Sequence, residues 1–367
     1  MVNTLNTGKY STLTYCYPSG FDGGNTDSCF GTIDQTGREC VVTIPSAIVE
    51  ASAETLELLR SGVHGSNANS DPYKQDIQIG YLGINYYVGY LALRQSKRSS
   101  TQKGDETRYH SLQQLIRLLA TSGLAIADQQ YEVQLVTTVP VGYFTRELRR
   151  RVKDTLEGTF DFTLNGDKRQ ATIIVRKVMV EGPPALVLYG GQSAGKRRLI
   201  IDGGGHTTDL TLLDGNDPIA DRCKGIDLGV ENIGDYVAET IREKHKRKLS
   251  LQERSDILRA YATRNSLEPV PVPPLFCGTY EVSSAEIYGI VAAGCQKVAN
   301  ATLTEARSLW GVVNDVVAGD VQYQYHIGGS ALFYNDLLRA KMPQLNPVTN
   351  ASAANARGSA RIAKALG

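Results

Sequence analysis

The sequence predicts an α/β protein of two related lobes around a common cleft, and three observations carry that prediction. The chain has 367 residues, about two domains at roughly 150 residues each. One device, a strand that enters an Asp-Gly-Gly turn and leaves as a second strand, occurs around Phe21–Ser28 and again at Asp202–Asp209. Strand-like and helix-like stretches are both read in each half of the chain.

The elements follow in order. The first 45 residues read as a hairpin meander: Thr12–Tyr17 is β-branched and aromatic, Phe21–Ser28 is a Gly-rich turn, Cys29–Ile33 is a strand, Asp34–Gly37 a turn and Glu39–Ile44 a strand. No helix follows that first turn, which argues against a Rossmann or P-loop site, where one must. Residues 50–80 are mixed and polar, and strands follow around Asp76–Gly80 and Tyr86–Tyr90. Leu112, Leu115, Ile116, Leu118 and Leu119 mark a helix from about Ser111 to Thr121. Tyr131–Val139 is a buried strand. Thr145–Leu156 is a helix with Arg146, Arg149, Arg150, Arg151 and Lys153, a pattern that fits a solvated face, with a phosphate-tracking or filament-contacting surface as the alternative. Phe160–Leu164 and Ala171–Val180 pair about an Asn165-Gly166 turn.

In the second half, Arg198–Ile201 enters the second Gly-rich turn and Leu210–Leu213 leaves it. Helices are expected near Asn232–Lys248, Gln252–Ala262 and Ala285–Glu305, with the four prolines of Pro269–Pro274 as a connector. The strand Tyr323–Ile327 runs into Gly328-Gly329-Ser330-Ala331, followed by a helix, a polar link at Pro343–Ala354 and a last helix near Asn355–Leu366.

Composition narrows the function. Lys+Arg at 39 against Asp+Glu at 38 gives a net charge of +1, which excludes a generally basic nucleic-acid binder and leaves room only for a local patch. With 41% hydrophobic and 21% charged residues the chain is not disordered. Its six cysteines form no CxxC pair, so a reduced cytosolic protein without structural zinc is the simpler reading. The N-terminus has no signal pattern, and no apolar run approaches the ~20 residues of a membrane helix. A cytoplasmic protein is expected.

The Gly-rich turns carry the chemistry. Glycines let backbone N–H groups form a nest for anionic oxygen. Asn25, Thr26 and Ser28 add donors in the first turn, and Thr207 and Thr208 in the second. Carboxylates there would repel bare phosphate. Asp22, Asp202 and Asp209 make sense if Mg²⁺ sits between carboxylate and phosphate, through waters. The third turn, His326–Ala331, lacks an acid and suits close approach to a flat base or ribose. His206 has no partner at metal-ligand spacing, so packing or a hydrogen bond is its expected role.

These strings carry a family resemblance. "IIDGGGHTTDLTLL" (200–213) resembles the second phosphate motif of the superfamily of actins, heat-shock chaperones and sugar kinases, "FDGGNTDSCF" (21–30) its first, and "HIGGSA" (326–331) its adenosine motif. "YYVGYLA" (86–92), "VTTVPVGYF" (136–144), "VMVEGPPALVLY" (178–189) and "NARGSARIA" (355–363) are similar to segments of the bacterial plasmid-partition actins of the ParM/StbA type. The resemblance covers nearly the whole chain, and the second phosphate motif is its most specific part.

That resemblance implies an actin-like ATPase fold: two related lobes of ribonuclease H-like mixed sheets with helices around a nucleotide cleft. The implied layout is lobe I over 1–190 with an inserted subdomain at about 45–108, lobe II over 191–345, and a C-terminal helix over 346–367 returning to lobe I. It implies ATP and Mg²⁺ as ligands. Asp22 would organise metal waters; Gly24, Asn25 and Thr26 would contact phosphate; Asp202 and Asp209 would serve the metal and the attacking water, with Gly204, Gly205 and Thr207 on phosphate. Glu181 would orient or deprotonate the water. Gly328, Gly329 and Ser330 would line adenosine. The implied function is ATP hydrolysis coupled to filament formation for plasmid DNA segregation, with the chain itself as filament partner and a DNA-binding adaptor at a plasmid centromere; no membrane and no direct nucleic-acid contact is required. The alternative is a non-polymerising ATPase or a nucleotide-sensing module of the same superfamily. Two departures stand out. Cys29 occupies the position, seven residues after Asp22, where the family usually places a phosphate-meeting lysine. About 20 residues precede the first motif, so residues 1–10 are expected to form a mobile arm.

Overall fold

The fold is that of a computed structural model, which describes residues 15–51, 75–95, 106–189, 195–346 and 348–367. The expected arm at 1–10, the start of the first expected strand and most of the 50–80 segment lie outside the described residues.

Alternation of small, aromatic and β-branched residues builds the first meander. It comprises β1 (Cys16–Gly23), β2 (Asp27–Ile33) and β3 (Glu39–Pro45). The strands run further into the Gly-rich segment than its composition suggested: only 24–26 lie outside them, because the glycines still pair across the ladder, Gly23 with Ser28. Strand β4 (Ile48–Glu50), the hairpin β5 (Ile77–Tyr81) and β6 (Ile84–Val88), and helix α1 (Tyr90–Gln95) follow. Helix α2 (Leu112–Ala125) starts at Ser111, whose side chain accepts from the Gln114 N–H and so caps an otherwise orphaned donor. Then come β7 (Gln130–Val139), α3 (Arg146–Leu156), β8 (Gly158–Leu164) and β9 (Asp167–Val180). Asn165 and Gly166 take positive φ (52° and 95°), the conformation that a tight Asn-Gly hairpin turn demands.

The basic helix α3 buries Leu148, Val152 and Leu156 on one face. On the other face, Arg150 pairs with Asp154 and Lys153 with Glu157, both at 3.5 Å, Arg151 pairs with Glu147, and Arg149 covers the Phe144 ring. Most of its charge is thus spent locally, as a solvated face predicts.

The second half repeats the plan. Strands β10 (Arg197–Gly203), β11 (Thr208–Asp214), β12 (Asp217–Pro218) and β13 (Lys224–Ile226) lead into α4 (Val230–His245) and α5 (Leu251–Thr263). The hairpin of β14 (Leu275–Cys277) and β15 (Tyr280–Val282) precedes the long α6 (Ser284–Trp310). A small hairpin, β16 (Val312–Val313) and β17 (Val316–Val317), leads to β18 (Tyr323–Ile327), α7 (Ala331–Arg339), β19 (Leu345–Asn346) and α8 (Ala354–Leu366). The link expected at Pro343–Ala354 therefore contains a short strand, parallel to β18.

The two sheets state the repeat. The first runs β3-β2-β1-β7-β9 and continues through β8-β5-β6-β4; the second runs β12-β11-β10-β18-β19. Outward from β1 and from β10 the pairings match: antiparallel, antiparallel on one side, parallel, parallel on the other. The second-lobe core lies between its sheet and α4, α5 and α6, around Ile233, Val237, Ile287 and Val291, while the first is centred on Phe21, Leu118, Val133 and Leu135. The last helix, α8, does not stay with the second sheet. It packs on β1, β2 and β7 of the first, so closely that a Cβ on Gly20 would lie 2.0 Å from the Ala356 carbonyl oxygen. All six cysteines are free thiols.

Candidate functional site

Because β1 and β10 are central strands of their sheets, their C-terminal turns face each other across one cleft of about 340 Å³, within the range of small-ligand sites. Gly24, Asn25 and Thr26 line it from the first turn, and Asp202, Gly204, Gly205 and Thr207 from the second. Asp22 and Glu181 also face it, and Gly328 and Gly329 form a third edge. The turns touch. Thr26 Oγ1 donates to Glu231 Oε1 on α4 at 3.2 Å, and a Cβ on Gly205 would lie 1.8 Å from that same Oγ1, so only glycine fits there. Gly328 has φ +79°, and a Cβ there would meet the Gly203 carbonyl at 2.4 Å. Helix α4 is stitched to the second turn through Val230 N to Gly204 O (3.1 Å) and Glu231 N to Gly205 O (2.7 Å). At the mouth, Tyr90 of α1 bonds Asp256 of α5 at 3.0 and 3.1 Å and accepts from Gln252 at 3.0 Å, a second link across the cleft.

Two expected residues sit differently. Asp209 does not line the cleft; it is 1% exposed, beneath the second turn, where Oδ2 accepts from the Val141 N–H at 3.3 Å and Oδ1 has no partner. Ser330 is turned inward. Its N–H donates to Gly203 O at 2.9 Å and its hydroxyl bonds His326 Nε2 at 2.8 Å, so it braces the third turn from behind and does not line the cleft as expected. The reason is the start of α7: the first turn of that helix folds the serine side chain back onto β18.

Four carboxylates gather here, and burial dominates their electrostatics. Asp22, Asp202 and Asp209 are all pushed above the ordinary range by burial, and Asp22 adds to the rise of the other two. Glu181 is pushed well up by burial and then by the negative fields of Asp22, Asp209 and Asp202. Such a cluster does not ionise fully without a counter-cation. Among the described residues no three acidic, His or Cys side chains converge as direct ligands of one ion. The donor set therefore suits a hard divalent cation held by ligand oxygens and water with carboxylates in its outer shell, the arrangement Mg²⁺ favours. The orphaned oxygens of Asn25 and Asp209 add buried acceptors awaiting a partner.

Several site residues escaped the sequence. Asn355 of α8, 3% exposed, donates from Nδ2 to Asp202 Oδ2 at 2.6 Å and to Asp22 Oδ2 at 3.4 Å, while its Oδ1 accepts from Gly182 N at 3.0 Å. One amide thus ties the two turns to the segment after Glu181; its string was visible only as a closing helix. Tyr109 lines the cleft, and α5 contributes Arg254, Ser255, Leu258 and Arg259 beside Leu332 and Phe333, a mixed wall of aliphatic, aromatic and cationic groups. Arg254 pairs with Glu231 and, at 2.5 Å, with Asp235. A polar helix face gives no signal that distinguishes cleft from solvent, which is why these were not anticipated.

Two sheets with matching pairings around β1 and β10, and opposed glycine turns over a carboxylate cluster, define a two-lobed fold of the actin type. Residues 26–183 match the sequence model of the family described as actin like proteins N terminal domain. The fold matches Ta0583, an archaeal actin homologue, at a TM-score of 0.70 and 17% identity over 95% of this chain and 98% of that one. It matches ParM of a 15-stranded filament from Clostridium botulinum at 0.71 and 17% over 95% and 99%, and Bacillus thuringiensis ParM with ATP at 0.68 and 16% over 95% and 98%. None of the curated proteins matches the sequence. The chain has the fold shared by ParM and archaeal actin homologues, and its residues 26–183 are similar to the N-terminal domain of actin-like proteins. No helix among the described residues is long and apolar enough to cross a membrane.

Proposed function

We propose that this protein binds Mg-ATP between its lobes, hydrolyses it slowly, and assembles with copies of itself into filaments that segregate plasmid DNA through a DNA-binding adaptor. The observation that carries the reading is the pair of opposed turns, Asp22–Cys29 and Asp202–Asp209, in contact across one cleft over buried acids. Gly24, Asn25 and Thr26 would hold phosphate from one side and Gly204, Gly205 and Thr207 from the other, with Gly328 and Gly329 against the nucleoside. A bound divalent cation would neutralise charge on phosphate and on Asp22, Asp202 and Asp209. Glu181, at the cleft and pushed well up by burial and the neighbouring acids, becomes a more competent proton acceptor when that negative field is offset. The lobe limits expected from the sequence, 1–190, 191–345 and 346–367, belong to this proposal. So does a cytoplasmic site of action.

A ligand held by both lobes favours the closed cleft and its hydrolysis removes that bias, so assembly can follow the nucleotide state. The solved ParM structures with ATP, with ADP and in a filament support this reading. Titration calorimetry with ATP, ADP and AMP, with and without Mg²⁺, tests it together with phosphate release. Binding that needs Mg²⁺ and weakens as phosphates are removed is expected; no binding of any adenine nucleotide would reject it. Cys29 favours a second reading, a nucleotide-sensing module with little turnover, and tight binding without phosphate release would select it.

A further inference from the structure

Cys29 leaves the first turn without a cation at its front, and two arginines stand behind it. Arg108, in the 3-10 turn Glu106–His110, is 4% exposed and donates from Nη2 to the Gly23 carbonyl oxygen. Arg117, on α2, is 5% exposed and donates from Nη1 to the Gly24 carbonyl at 3.4 Å and from Nε to Gln113 O at 3.3 Å. Neither forms a direct ion pair among the described residues and Arg108 Nε has no hydrogen-bond partner, but Arg108 lies over the Tyr109 ring at 4.6 Å and its charge acts against the rise of the Asp22 and Glu181 carboxyls. Buried guanidinium groups without a carboxylate in direct contact are costly. The two also repel: burial pushes Arg117 down to about 9, with Arg108 adding to the fall. Such an arrangement persists where something else rewards it.

Peptide geometry says what that is. No peptide bond among the described residues is cis, so in each of these units the N–H points opposite to the carbonyl. The Gly23 and Gly24 carbonyls point back at the arginines. The N–H groups of the same two units, on Gly24 and Asn25, therefore point away from them, and Gly24 and Asn25 line the cleft. A guanidinium on the carbonyl polarises the amide and strengthens the opposite N–H as a donor.

We propose that Arg108 and Arg117 supply from behind the first turn the positive charge that Cys29 withholds from its front, acting on a ligand's phosphates through the Gly23–Gly24 and Gly24–Asn25 peptide units. Neither side chain lines the cleft, so both are positioning residues. The inference rests on the nucleotide reading above and deepens it.

The test uses the full chain and its variants R108Q, R108K, R117Q and R108Q with C29K, with ATP, ADP and adenosine as probes. R108Q is expected to weaken Mg-ATP binding about tenfold, ADP less and adenosine not at all, a gradation that exceeds any change in melting temperature without nucleotide. R117Q is expected to give the same gradation, smaller, and serves if R108Q does not fold. R108K, which keeps the charge, is expected to retain most of the affinity, and C29K to restore ATP binding to R108Q. A loss equal for adenosine and ATP, or one that tracks a fall in melting temperature, would make the arginines structural and overturn the inference. Wild type that binds ATP while R108Q and R117Q match it overturns this inference alone; wild type that binds no nucleotide overturns the functional reading with it.

Discussion

The two Gly-rich turns share one ladder geometry and differ most consequentially at the residue paired with the leading aspartate. In the first, Asp22 faces Cys29 and Gly23 faces Ser28, with Gly24-Asn25-Thr26-Asp27 between. In the second, Asp202 faces Asp209 and Gly203 faces Thr208, with Gly204-Gly205-His206-Thr207 between. Where the second turn has a carboxylate, the first has a buried thiol, 2% exposed, that accepts from the Thr43 hydroxyl at 3.3 Å. Burial drives the Cys29 thiol up to about 12, so it is a neutral filler and supplies no charge of either sign. The lesson is that the duplicated backbone fixes where ligand groups can sit, while the charge at the matching position differs: the second turn carries its own paired acid, and the first has a neutral thiol there, with arginines from α2 and its preceding 3-10 turn behind it.

The largest effect expected from breaking this comparison is at the acid. Asp209→Ala removes the acid that the second turn pairs with its leading aspartate; Mg-ATP turnover is expected to vanish with the far-ultraviolet dichroism unchanged, and normal phosphate release from the folded variant would reject the role. Glu181→Gln is expected to slow hydrolysis about 10²–10⁴-fold, the usual worth of a general base, with ATP affinity within a few-fold of wild type. Loss of binding along with turnover would instead make Glu181 structural.

Next comes the contact between the turns. Gly205→Val drives a side chain into Thr26 Oγ1, which a Cβ would already approach to 1.8 Å. ATP binding is expected to fall at least tenfold, roughly 1.4 kcal/mol or more, with the isolated lobes still folded; unchanged affinity in titration would show that the turns need not meet. In the opposite direction, Cys29→Lys gives the first turn a front cation, and about a tenfold gain in ATP affinity is expected if it reaches phosphate. No gain would remove the missing lysine as an explanation of anything.

The smallest effect concerns the third turn. Burial pushes His326 down to about 4, against the opposing bond to Asn335. The unfolded chain protonates its imidazole near about 6.5. Below that pH the unfolded state binds more protons, so this group's contribution is complete above about 6.5 and is lost as pH falls toward the folded value. The melting temperature of wild type is therefore expected to drop more steeply between pH 6.5 and 4.5 than that of His326→Gln, as read by calorimetry; parallel curves would contradict the buried neutral state.

Much of this was legible in the chain. The Asp-Gly-Gly strings located both turns because glycine and an acid at fixed offsets are local requirements, and the Asn165-Gly166 turn was read for the same reason. The stripe from Leu112 to Leu119 located α2 but stopped short of Ala125, since its last turn is polar and small. What could not be read was tertiary. Asn355 looks like any polar residue of a last helix until α8 crosses back to β1. Ser330 belongs to the adenosine-like string, yet its orientation depends on how α7 begins. Nothing in the sequence singles out Arg108 and Arg117; only the packing of α2 and its preceding turn behind the first turn buries them.

The central claim is that a nucleotide gripped by both turns controls assembly. High-speed sedimentation of the purified chain with Mg-ATP, Mg-ADP, a non-hydrolysable ATP analogue or no nucleotide, with phosphate assayed in the same tubes, tests it most directly. The account predicts pelleting with ATP and the analogue, little with ADP or without nucleotide, and phosphate release that trails assembly in the ATP tube alone. Equal pelleting in all four tubes, or none in any, would contradict it.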